Sequence, residues 1–305
     1  MMINILSFLL ATSTLLLFAQ IETIVYEHPE IIEVTNKNED PFYNLYLKDY
    51  SKALKQFEAV LNKNPDYTSA LMGKAKCLLA LGRTQKAYDT YKIVYEENPI
   101  SRSALEGLGR SAFYLENFSR AIQFYQQALS LDPENPDHYA SLSRIYMCQG
   151  NYESALSHAN KAIILLDENN AAIVYMQILA YFAMAELESK NNKEITLKSI
   201  PSAKNKLPFP FPFQTQSQSQ SQFDKSEWPY PILHYLKGDL TNRDLLSFVE
   251  NSEQEIQAHT YIGLNKRFLK DNDASVKHLI WVQEATFQQS FEVILAKQVI
   301  QSTSG

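Results

Sequence analysis

The chain has 305 residues with 28 basic and 34 acidic side chains, a net charge of −6. That length supplies core material for one or two domains, and 45% hydrophobic with 20% charged residues excludes wholesale disorder. Mild acidity gives no basic face of the kind a phosphate backbone needs, so no nucleic-acid partner is expected, and only eight glycines point to long helices rather than a turn-rich fold.

Residues 1–19 read MMINILSFLLATSTLLLFA, an apolar run that fits a secretory signal peptide with a small residue, Ala19, at its end, or an uncleaved membrane anchor. The expected location is therefore exported (periplasmic or secreted) or membrane-tethered. Residues 20–40 follow as an acidic spacer, with Glu22, Glu27, Glu30, Glu33, Glu39 and Asp40 against Lys37 alone.

From residue 41 to 189 one period governs the chain. Ala53, Ala87, Ala121 and Ala155 are 34 residues apart; Phe57, Tyr91, Tyr125 and Ala159 follow four later, and Val60, Val94, Ala128 and Ala162 seven later. Pro65, Pro99 and Pro133 close three of the four units, and Gly82, Asn117 and Gly150 supply turn residues. Small alanines let two antiparallel helices approach, and the residue four positions on lies on the same face and fills the next groove. A single hairpin of this kind cannot cover its apolar stripe, whereas stacked hairpins can. Pro41 sets the start of a shortened first helix, and residues 170–189 read as the first helix of a further unit or a cap.

Residues 190–227 alternate Phe with Pro and then Gln with Ser; Pro208, Pro210 and Pro212 forbid helix there, so this is a linker. In residues 228–303 the helix-turn-helix rhythm returns. Gly263, Ser275, Leu279 and Val282 hold the offsets of the upstream units, and Phe291 to Ile300 forms a closing helix.

The period, the alanine, the aromatic four residues on and the closing proline resemble the tetratricopeptide repeat. That resemblance implies an all-α solenoid of helical hairpins, about four repeats plus a cap helix, with a smaller C-terminal repeat segment. The layout of apolar leader, repeats and late W-P-x-P segment is also similar to exported bacterial tetratricopeptide proteins, some of them lipoproteins that tether a protease to its substrates, although no cysteine follows the leader to accept a lipid.

The resemblance further implies a groove lined by positions two, five, nine and twelve of each first helix. Position nine carries Lys76, Arg110 and Arg144, a cationic row; position twelve carries Leu79, Phe113 and Met147, an apolar row; Glu106 stands at position five. Such a groove suits a partner segment of acidic and apolar side chains. The pattern that clamps chaperone tails is not implied, because only Lys76 among Met72, Lys76, Gly107, Asp137 and Ser141 is cationic.

No catalytic motif interrupts this reading: there is no phosphate-cradling glycine loop, no G-x-S-x-G elbow and no H-E-x-x-H helix. Cys77 and Cys148 stand in no metal or redox spacing, and the six histidines include no pair four apart, so neither metal nor cofactor is expected. The expected function is a non-catalytic protein-interaction scaffold holding an extended or helical partner segment. An adaptor for an envelope hydrolase or assembly machine and a self-associating array are the alternatives.

Overall fold

The computed structural model describes residues 40–167, 170–190, 227–285 and 289–303. The leader, most of the acidic spacer and nearly all of the linker lie outside the described residues. Fourteen helices and no strand are found among the described residues: α1 (Pro41–Tyr46), α2 (Tyr50–Lys63), α3 (Thr68–Ala80), α4 (Thr84–Glu97), α5 (Arg102–Tyr114), α6 (Phe118–Leu131), α7 (Pro136–Cys148), α8 (Tyr152–Leu165), α9 (Ala172–Lys190), α10 (Tyr230–Leu236), α11 (Asn242–Ser247), α12 (Ser252–Phe268), α13 (Asn272–Glu284) and α14 (Phe291–Thr303). The chain divides into two compact units between Cys77 and Leu78.

The turns keep the 34-residue register. Lys48, Gly82, Glu116 and Gly150 all have φ between 56° and 77°, and Lys270 repeats the conformation in the C-terminal hairpin. The left-handed residue of the third copy is thus Glu116, one before Asn117. Asn117 instead caps α6, its Oδ1 accepting from Arg120 N at 3.3 Å, as Asp49 caps α2, Asn151 caps α8 and Asp271 caps α13. Arg83, the equivalent residue before α4, makes no side-chain cap.

In the first unit the Phe57 ring lies over Gly73; a Cβ on Gly73 would stand 2.2 Å from it. Phe42 meets the same ring edge-on at 4.9 Å, and buried Asn44 donates to Gln56 Oε1 at 2.9 Å.

In the second unit the seam alanines Ala87, Ala121 and Ala155 are fully buried, as is Ala53 in the first. The aromatic four residues on occupies space that a glycine leaves empty. A Cβ on Gly107 would stand 2.5 Å from the Tyr91 ring, and one on Gly109 would stand 2.7 Å from the Tyr125 ring. In the next copy both partners change: Ala159 replaces the aromatic, Ser143 replaces the glycine, and the Ser143 hydroxyl donates to Ala155 O at 2.8 Å. Gly263 and Leu279 close the α12–α13 hairpin at the same sixteen-residue interval, with 2.8 Å between an added Cβ and Leu279.

α9 is apolar on every side and is packed against α7, α8 and α10. Its Phe182 stacks on Tyr261 of α12 at 5.8 Å, and its Glu186 pairs with Arg267. α14 packs on α12 and α13 and reaches back to α7. The C-terminal helix is therefore not confined to the end of its own hairpin: residues 291–296 are buried all round against the repeat array.

Candidate functional site: a cavity roofed by the C-terminal helix

A cavity of about 430 Å³ lies in the second unit, lined from α5, α6, α7, α9, α12 and α14. Arg110, Phe113 and Tyr114 come from α5, Tyr125 from α6, Ser141, Arg144 and Ile145 from α7. Tyr175, Met176 and Leu179 come from α9, Glu253, Gln257 and Tyr261 from α12, Phe291 and Glu292 from the start of α14, and Gln289 and Ser290 from the residues just before it. Arg110 and Glu253 are its exposed lining residues; every other one is half-buried or buried.

The repeat explains why two cations meet here. Arg110 and Arg144 occupy the same position of successive first helices, so stacking hairpins in register brings their side chains to one side. Tyr125, the aromatic that covers Gly109, turns its hydroxyl toward Arg110 and accepts a hydrogen bond from it. Burial on its own would lower the Arg110 pKa, but the phenols of Tyr125, Tyr114 and Tyr91 outweigh it and raise it.

Facing them is an acid in an apolar run. Glu292 is 7% exposed, and burial raises its pKa; hydrogen bonds from its own backbone and from Ser290, together with the Arg144 charge, hold the rise back, while Glu253 adds to it. Tyr261 is hydrogen-bonded to Glu292, and burial pushes its phenol well up. Tyr175 is pushed up to about 12, chiefly by burial, and donates to Gln257 Oε1 at 3.1 Å; the Trp228 indole N–H donates to the same oxygen at 2.6 Å. α14 is further tied to the array by Lys297 paired with Glu116, by Gln298 Nε2 donating to Glu116 Oε2 at 3.3 Å, and by Gln289 donating to the Thr84 hydroxyl.

Of the residues expected to line the groove, Arg110, Phe113 and Arg144 come together around this cavity. Lys76 is exposed in the first unit. Leu79 and Met147 are buried, and Glu106 Oε1 lies 2.8 Å from Nε2 of buried His138. Glu253, Glu292, Tyr175 and Tyr261 were not foreseen as site residues. The single local hint is Glu292 itself, the one charge in the run Phe291–Ala296. Among the described residues no group of three metal-ligating side chains is found, and no helix is long and apolar enough to cross a membrane.

A family profile described as the Psidin N-terminal TPR (tetratricopeptide) repeats region matches residues 40–197, more than half of the chain. The chain belongs to this TPR family. TPR proteins of this kind are protein-interaction scaffolds and are generally non-catalytic. Solved TPR structures are also similar. MamA is 21% identical, over 53% of this chain and 90% of its own, with a TM-score of 0.44. A thermophilic TPR protein from Thermus thermophilus is 20% identical over 54% and 94%, with a TM-score of 0.41. One from Parabacteroides merdae is 13% identical over 87% and 97%, with a TM-score of 0.49. No curated protein sequence matches.

Proposed function

We propose that the chain is a non-catalytic interaction scaffold that engages an acidic and apolar segment of a protein partner at the Arg110, Phe113 and Arg144 face. The observation that carries this reading is that two arginines from equivalent positions of successive repeats border one cavity beside Phe113. A carboxylate of the partner would meet the guanidiniums while an apolar neighbour meets Phe113. Because α14 is seated on α7, the guest meets what that helix leaves uncovered, and Arg110 is its first contact. On the character of residues 1–19, the scaffold acts outside the cytoplasm or at a membrane surface.

The test is capture of partners from each cell fraction with the unaltered chain and with R110E/R144E. The double variant, as helical as the unaltered chain by circular dichroism and eluting with it in size-exclusion chromatography, is expected to lose the partner that the unaltered chain retains. Unchanged capture overturns the assignment of this face.

A further inference from the structure

The cavity sets two guanidiniums, those of Arg110 and Arg144, beside an apolar wall of Phe113, Met176 and Leu179. Each guanidinium offers five N–H donors and no acceptor. Among the described residues the Arg144 side chain makes no hydrogen bond and no ion pair, and the Arg110 guanidinium is hydrogen-bonded to the Tyr125 hydroxyl. The nearby Glu292 carboxyl feels the Arg144 charge but forms no ion pair with either arginine, and it is hydrogen-bonded to Ser290, Tyr261 and its own backbone. Glu253 is an exposed residue of the same lining. The two guanidiniums, one exposed and one half-buried, carry N–H groups that water can reach, and a bound carboxylate can replace that water through charge-assisted hydrogen bonds.

We propose that the cavity is a binding site for a compact organic carboxylate, gripped by Arg110 and Arg144 with its apolar body against Phe113, Met176 and Leu179. The volume, about 430 Å³, falls in the range of sites that enclose small molecules, where an apolar wall fixes the body and a few polar groups fix orientation. A carboxylate satisfies two guanidiniums through charge-assisted hydrogen bonds, and the phenol O–H groups of Tyr114 and Tyr125 remain to donate to it. An inorganic anion would leave the apolar wall unused. The site shares its arginines with the scaffold reading but needs no protein partner.

The test is isothermal titration of the full chain with sodium 4-phenylbutyrate, its neutral amide 4-phenylbutyramide, and inorganic phosphate. Intrinsic tryptophan emission of W281F runs in parallel, because Trp228 reports on Gln257 in the lining. The acid is expected to bind saturably at one site and to change Trp228 emission. The amide, and the acid with R110Q or R144Q, should bind at least ~10-fold more weakly. Equal binding of acid and amide, retention in both variants, tighter binding of phosphate, or no saturable binding overturns the proposal. Loss of partner capture in R110E/R144E with no acid binding refutes only this site; acid binding abolished by R110Q with partner capture intact refutes only the scaffold assignment.

Discussion

The hairpins α5–α6 and α12–α13 close on the same sixteen-residue couple, a glycine of the first helix under a large side chain of the second, yet they handle polarity differently. In α5–α6 the covering residue is Tyr125, whose ring packs on Gly109 and whose hydroxyl serves Arg110 at the cavity. In α12–α13 the covering residue is Leu279, which has nothing to offer a cation. There the polar contact lies beside the seam instead, with His259 Nδ1 and His278 Nδ1 3.1 Å apart and the His259 ring stacked on Trp281 at 4.0 Å. The interval sets how closely two helices approach; the residue at its far end decides whether the seam also feeds a site.

α14 packs on α12 and α13 and is tied through Lys297 and Gln298 to Glu116 in the turn between α5 and α6, so its core is where the comparison breaks most sharply. Leu295 is 2% exposed, and L295A should lower stability by about 2–4 kcal/mol in urea unfolding. A loss below about 1 kcal/mol would mean that the helix is only loosely seated on the unit.

The next effect separates the hairpins themselves. In G109A the new methyl meets a rigid ring at 2.7 Å, and a loss of about 1–3 kcal/mol is expected. In G263A it meets Cγ and Cδ2 of buried Leu279 at 2.8 Å, an aliphatic side chain rather than a ring, and the better helix propensity of alanine offsets part of the clash, so the loss should be smaller than in G109A. Equal losses would show that the aromatic and aliphatic seams are mechanically alike.

The smallest effect is on pH. Burial first, then the neighbouring His278, lowers the His259 pKa from 6.5 to about 4, and burial with Lys266 lowers that of His278. The folded state thus resists protonation that the unfolded chain accepts. This contribution is intact above pH 6.5 and is lost as pH falls toward 4, by about 1 kcal/mol for a half-buried group. Glu292, with its pKa raised, shifts stability the other way over the acid range. Thermal unfolding at pH 7 and pH 4.5 should therefore show a larger drop for the unaltered chain than for H259F.

The array was legible because its information is local. Ala53, Ala87, Ala121 and Ala155 recur at one interval, all are fully buried, and the turn residues recur in step. The convergence of Arg110 with Arg144 follows from the same period. What the period does not contain is any contact between distant segments. Nothing in the run Phe291–Ala296 marks it as packing on α7, more than 140 residues earlier, and the glycine opposite each aromatic has meaning only once the two helices are side by side. Glu116 shows the same limit at one residue: it stands where two other copies have glycine, and its ties to Lys297 and Gln298 are long-range.

The seat of α14 also orders events during synthesis. Every helix it packs against leaves the ribosome before it does, so the repeats must first stand with Arg110 and Arg144 facing water and their apolar neighbours uncovered. The nascent chain therefore passes through a stage in which its interior is open to whatever reaches it first, and translation of α14 ends that stage.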